Sequence, residues 1–282
     1  MRRTSLVGLA GIVAIAACSG RGPQTVGAQP SWRGGSSDTA AQSGARIAEP
    51  ARPVTFAPAG QPAARYNEPV QPPARSALGD AIVAAAREEA QKAGTAVPIA
   101  DGRLFRACAE LAEVVPEEGV IAYSFVEFAL QRHGIVEPSP HLLVVWGDID
   151  SPETIVSQLR PRLAELLADG ATARVGIGVA KRANDGSGAV VFALQGSGVS
   201  TSPIPRQLKA GGSFTLDAVV DARYKSPEVF ITRDTGATER LDLKLGASGA
   251  FKTQVACGKH TGKQQVEITA SDQAGSTVLA NF

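Results

Sequence analysis

Apolar positions change their spacing along the chain, and each change marks a change of element. From Ala77 to Ala93 the sequence is rich in Ala and Glu, with Leu78, Ile82 and Ala85 on one helical face and Gly94 placed to end it. From about Gly102, Leu104, Cys108, Leu111 and Val115 fall at i, i+4, i+7 and i+11, a helical stripe that Pro116 stops. A third helix is expected from Ile121 to His133, with Phe125 and Phe128 inward and Gly134 at its end. His141 to Trp146 is a continuous apolar run of strand length. Ser151-Pro152-Glu153 then reads as a helix start, with Ser as N-cap and Pro in the first turn. That helix would run to Ala168 on Ile155, Val156, Leu159, Leu163, Leu166 and Leu167, with Pro161 kinking or splitting it. Arg174–Ala180 and Ala189–Gln195 read as two strands joined through Asn184-Asp185-Gly186.

Helices first and strands late predict an α/β (α+β) layered sandwich over residues 76–202. Pro203 and Pro205 mark a boundary. Beyond it the period shortens to six expected strands: Phe214–Val220, Glu228–Arg233, Glu239–Leu245, Ala250–Cys257, Gln264–Ala270 and Thr277–Phe282. Leu241, Leu243 and Leu245 alternate, as do Val266 and Ile268, and no helical stretch intervenes. This predicts a small all-β immunoglobulin-like sandwich over residues 203–282.

The N-terminal stretch follows neither pattern. Arg2 and Arg3 precede an apolar run from Leu6 to Ala17, too short to span a bilayer and suited to a signal-peptide core. It ends Ile15-Ala16-Ala17-Cys18, which resembles the lipobox of bacterial lipoproteins. The resemblance implies that residues 1–18 are a leader with its lipobox, and that Cys18 becomes the lipidated first residue. An ordinary small-residue cleavage site that happens to precede a Cys is the other reading. Ser19, rather than Asp, after the Cys points to the outer membrane. Residues 19–75 hold nine of the 18 Pro and show no apolar period, so they read as a disordered Pro/Ala/Gly-rich tether.

Composition narrows the function classes. With 28 Lys+Arg against 27 Asp+Glu the net charge is +1, which excludes a polybasic nucleic-acid binder. Three Cys and 3 His are too few for a disulfide scaffold or a multi-metal protein. Once Cys18 is lipidated, Cys108 and Cys257 remain. They would staple the two folded units if bonded, but Cys108 sits on the apolar stripe, where a free thiol acts as a small hydrophobe.

Ala84-Ala85-Ala86-Arg87-Glu88-Glu89-Ala90, then Gly94 to Ile99, then Arg103-Leu104 to Ala112 resemble the opening of CAP-superfamily domains (cysteine-rich secretory, antigen 5 and pathogenesis-related proteins, also called SCP). Arg174 to Ala180 and Val190 to Leu194 resemble that family's closing hairpin. The layout is also similar to CAP domain-containing lipoproteins of myxobacteria. The family usually carries a His in its second helix, a His-Glu pair and a Gly-His motif before the hairpin. Here the second helix has no His, no His-Glu pair exists, and Arg160-Pro161-Arg162 stands where a His is expected. The resemblance therefore implies a CAP-like fold in an extracytoplasmic setting, in a degenerate copy without the family's cavity ligands.

Candidate chemistry is sparse. His133 and His141, with Glu137 between them and Glu127 before, make a paper set of metal ligands, but such a site needs three or four that converge. A His favouring a helix C-terminus and another at a strand start is the simpler reading, and no cofactor is expected. Ser139, His141 and Asp148 give the residue types of a triad without a nucleophile elbow. Val175-Gly176-Ile177-Gly178 lacks the third Gly of a dinucleotide loop, Lys181 standing in its place, and reads as a strand with Gly at a close approach. Arg160, Arg162, Arg174, Lys181 and Arg182 are either an anion-binding cluster for a glycan or lipid headgroup or a solvated face. Trp146 is expected in the core.

These readings point to a lipid-anchored protein of the bacterial cell envelope, at the outer membrane and facing periplasm or surface. It would act as a non-enzymatic binding or accessory module. Its partners would be the membrane, through the lipidated N-terminus, and an envelope glycan, lipid or protein, with no nucleic acid. The alternatives are a metal-assisted or hydrolytic extracytoplasmic enzyme using His133, Glu137 and His141, or the accessory region of a longer CAP-domain protein continuing past Phe282.

Overall fold

A computed structural model of the chain describes residues 60–117, 120–182 and 186–282, together with the backbone of Val13–Ile15. Cys18, Trp32, the tether over residues 19–59 and the Asn184-Asp185 turn lie outside the described residues. In chain order the elements are β1 (Val13–Ile15), β2 (Arg65–Tyr66), α1 (Ala77–Lys92), β3 (Ile99–Ala100), α2 (Gly102–Val114), α3 (Tyr123–Arg132), β4 (His141–Asp148), α4 (Pro152–Leu167), β5 (Thr172–Lys181) and β6 (Ser187–Gly196). The strands that follow are β7 (Val199–Thr201), β8 (Ile204–Pro205), β9 (Ser213–Val220), β10 (Lys225–Thr232), β11 (Thr238–Arg240), β12 (Lys244–Leu245), β13 (Ala250–Ala256), β14 (Gln265–Asp272) and β15 (Gly275–Asn281). The architecture is mixed α+β.

The first unit has three layers. Its sheet runs β1-β4-β6-β5-β3, antiparallel except where β3 lies parallel to β5. Strand alternation sends Leu143, Val145, Val190, Phe192 and Leu194 to one face, where Ile82 of α1 and Ile155, Leu159 and Leu163 of α4 bury them. Leu142, Val144, Val191 and Ala193 go to the other face, under Leu104, Cys108 and Leu111 of α2 and Val126 and Leu130 of α3. A sheet covered on both faces explains why His141 to Trp146 reads as a continuous apolar run rather than an alternating one.

The helices start and stop where local chemistry allows. Ser76 Oγ accepts the Gly79 N–H at 3.2 Å, capping α1, and Asp101 accepts the Arg103 N–H at 2.9 Å, capping α2. Gly134 ends α3 at φ +76, and a Cβ there would also stand 2.7 Å from the Arg65 carbonyl, so two constraints demand glycine. At α4, Ser151 is the N-cap residue, but its hydroxyl donates to Asp148 Oδ2 at 2.6 Å rather than capping the helix. Pro161 neither splits α4 nor ends it. It sits on the exposed side of α4, as does Ser157, whose carbonyl it deprives of its i+4 donor. Phe128 departs from expectation too: α3 buries Val126, Ala129 and Leu130, which leaves Phe128 46% exposed on the far side.

The second unit is a sandwich of two four-stranded sheets, β11-β10-β14-β15 and β12-β13-β9-β7. One core joins them, with Leu216, Val220 and Phe251 from one sheet packed among Val229, Ile231, Val266 and Ile268 of the other. The expected strand Glu239–Leu245 is two short pieces, and Leu245 points to solvent. β7 pairs with β9, so the boundary between the units falls near Ser197 rather than at 203.

Residues 60–75, expected to belong to the tether, are held against the folded body at a few points, although most of the stretch stays exposed. β2 pairs with β8, the Ala63 N–H donates to the Arg132 carbonyl at 2.9 Å, and the Asn67 N–H donates to the Gly134 carbonyl at 2.8 Å. This stretch is a strap across the junction of the two units. Arg206 clamps it, donating to the Gln131 carbonyl at 2.7 Å with its guanidinium 4.6 Å from the centre of the Tyr66 ring.

Candidate functional site

The residues singled out in the sequence do not meet. His133 closes α3 and lies 3.0 Å from Glu110 Oε1, which also accepts from Arg132 Nε at 3.0 Å. Glu137 is buried at the junction, paired with Arg174. His141 is exposed at the start of β4, and Glu127 lies on the outer side of α3. The described residues hold no group of three or more His, Cys, Asp or Glu placed to share a metal. The triad fails on distance: His141 and Asp148 are the two ends of β4, about 23 Å apart at the usual strand rise.

The basic cluster is likewise dispersed, and each member has its own partner. Arg160 bonds Glu88 at 2.9 Å and Glu89 at 2.6 Å, Arg162 pairs with Glu165, and Lys181 lies 3.3 Å from Asp150. Arg182 donates to the Ala112 carbonyl at 2.7 Å and covers the ring of Trp146 at 5.5 Å. Trp146 itself is half-buried rather than in the core, because its indole N–H reaches the Pro116 carbonyl at 3.1 Å. Gly176 and Gly178 lie under α2, as the strand reading of that motif expects.

What the fold does assemble is an ionic network at the junction. Asp101, placed by its capping role, accepts from Arg103 Nε at 3.1 Å and Nη2 at 2.6 Å. Arg103 Nη1 also donates to Asn67 of the strap. Arg174 pairs with Glu137, stands 3.6 Å from Asp101 and donates to Ser197 Oγ at 2.9 Å. Burial disfavours the charged form of Asp101, but the hydrogen bonds and charge of Arg103 outweigh it and hold the carboxyl below its ordinary value. A carboxylate held ionised between two guanidinium groups positions chain; it does not carry protons at neutral pH. Asp101-Gly102-Arg103 has a sequence signal, an acid before a helix start, but its partners lie far along the chain: Asn67 is 36 residues before Arg103, and Arg174 is 73 after Asp101.

Beside this network, α3, the strap and one end of the sandwich enclose a cleft of about 580 Å³. A smaller hollow of about 250 Å³ adjoins it, sharing Glu127, Gln131 and Asn281. The larger cleft is lined by Gln207, Gln264, Gln265, Asn281, Thr261 and Lys263, by the charged Glu127 and Arg206, and by Tyr66, Phe214 and Phe282; Gln264 Oε1 accepts from Arg233 Nη1 at 2.9 Å, and Arg206 covers the Tyr66 ring. Amides donate and accept at once, so this lining matches a ligand rich in hydroxyl groups. Little in the sequence signals it, since its wall is the loop Cys257–Gln264 brought against α3 by the docking of two units.

Compared with known proteins, the chain matches no family model, and no curated protein matches it.

Proposed function

We propose that this chain is a lipid-anchored envelope protein that binds an envelope glycan, without catalysing its turnover, in the cleft between its two units. The observation that carries the reading is the lining of that cleft, amides and a hydroxyl beside aromatic rings, at the place where the N-terminal strap joins the folded body. Sugars offer alternating hydroxyl groups and apolar ring faces, and this lining answers both.

In this reading the anchor is Cys18, carried on the lipobox-like Ile15-Ala16-Ala17-Cys18. Two acyl chains hold a protein stably at a membrane where one does not. The roughly 40 residues from Cys18 to Gly60, read as a spacer from their composition, reach at most about 130 Å if extended. The three-layer order and the β5–β6 hairpin support a degenerate CAP-like first unit. Two facing sheets on one core support an immunoglobulin-like second unit.

Two measurements test it. Intact mass of the envelope-extracted protein is expected to give a chain beginning at Cys18 plus acyl chains, and Cys18→Ala is expected to move it out of the membrane fraction. Co-sedimentation of the wild-type protein with purified envelope polysaccharide is expected to fall at least tenfold in Gln264→Ala/Asn281→Ala. Equal binding by wild type and variant, or none by either, would overturn the glycan site.

A further inference from the structure

We infer that the mature protein self-associates by pairing β4 of one copy with β4 of a second, joining two sheets into one. The inference rests on the reading that the leader is removed at Cys18, because β1 occupies part of this edge and lies within that leader.

β4 is an unusual edge. It pairs with β6 at all eight positions without a register shift. From Leu142 to Trp146 it carries no charge and no proline. Proteins commonly blunt such edges with short strands, charges, prolines or bulges. The other edges among the described residues are blunted: β2, β3, β8 and β12 have 2 residues, β7 and β11 have 3, and β15 is paired through a register shift. On the outer side of β4, β1 lies antiparallel with Val13 opposite Val144, Ala14 opposite Leu143 and Ile15 opposite Leu142. The edge therefore accepts an apolar antiparallel strand, and no strand among the described residues pairs with its outer side beyond Leu142–Val144.

A second β4 satisfies the same requirement. A two-fold axis perpendicular to the sheet puts Val144 opposite Val144 of the second copy, Leu143 opposite Val145 and Leu142 opposite Trp146. Every such pair is apolar and lies on one sheet face, as antiparallel pairing demands. Closed two-fold pairing also uses up both edges, so the association stops at two. Anchoring both copies in one membrane raises their effective concentration and favours it.

The test is cysteine cross-linking of the full chain in envelope membranes, in a Cys257→Ser background. Directly opposed Cβ atoms stand about 5 Å apart, near disulfide reach. Val144→Cys is expected to give an oxidant-dependent homodimer, while Val97→Cys, exposed on the loop before β3, gives none. Light scattering of residues 19–282 without any substitution is expected to show a dimer, which guards against a cysteine variant that fails to fold. A monomer by scattering with no Val144→Cys product, equal cross-linking at Val97, or a product with a different protein would overturn the inference. The mass of the mature chain separates the two readings. A chain that retains Val13–Ile15 sinks leader removal and this inference together, whereas a chain beginning at Cys18 that stays monomeric sinks only this one.

Discussion

Gly178 of β5 lies directly beneath the Cys108 backbone of α2, and Gly176 lies beneath Leu104 in the same way. The two spacings match. Two residues of strand advance about 6.7 Å, and one turn of helix, from 104 to 108, advances about 6 Å. The glycine pair is thus a groove into which two successive turns of α2 settle. A Cβ at 176 would stand 2.5 Å from the Leu104 carbonyl carbon, and one at 178 would overlap the Cys108 carbonyl. Neither position can take a side chain unless the helix lifts. Gly178→Ala is expected to cost about 1–3 kcal/mol or more, read as a lower urea midpoint at unchanged slope. An unchanged midpoint would mean that α2 does not rest on β5 in this way.

The same packing governs the Cys108 thiol. It is buried, and burial raises its pKa to about 12, with only the Ala193 backbone opposing. A thiol kept protonated and covered is inert towards alkylating reagents, since the thiolate is the nucleophile. Cys257 is free and half-buried at the cleft. Native protein of residues 19–282 is therefore expected to take up one equivalent of a maleimide, at Cys257, and a second only in denaturant. Two equivalents under native conditions would contradict the packing of α2.

The junction network makes a stability prediction of its own. The Glu137 side chain is 0% exposed, and its Oε1 is paired with Arg174. Removing the cation strands a buried carboxylate, so Arg174→Met is expected to cost about 3–5 kcal/mol. Glu137→Leu in the same chain removes the stranded charge and is expected to restore part of that loss. Denaturant midpoints of the two single variants and the double variant measure the coupling. Strictly additive losses would show that the two side chains do not act as a pair.

Much of the first unit was legible because its helices and central strands announce themselves locally. The stripe at Leu104, Cys108 and Leu111 and the run at His141–Trp146 became α2 and β4, at nearly the expected limits. Phe128 lies outside the core, and periodicity cannot say which of two apolar flanks of a helix meets the sheet. The strap was missed for a different reason. Residues 60–75 carry too little apolar surface to order themselves, and what holds them is partners far along the chain, such as Gly134, Ile204 and Arg206. The candidate site residues failed on the same ground. Glu137 and Arg174 neutralise each other, and His133 is buried against Glu110, arrangements that no spacing reveals.

His133 offers the last prediction, one that acid can test. Its imidazole is largely buried at the end of α3, and that burial holds its pKa below the ordinary value of 6.5. The charges of Arg132 and Arg106 push the same way, while Glu110 pulls upward and does not prevail. A base whose folded pKa is depressed binds protons more readily when unfolded. Its contribution to stability is therefore complete above pH 6.5 and is lost as the pH falls through the folded value. The other two histidines, His141 and His260, lie exposed and contribute no comparable burial. Wild type is expected to lose thermal stability as the pH falls below about 6.5, and His133→Gln, which keeps a polar group beside Glu110, is expected to flatten that slope. If the variant keeps the wild-type slope, the acid sensitivity does not come from the end of α3.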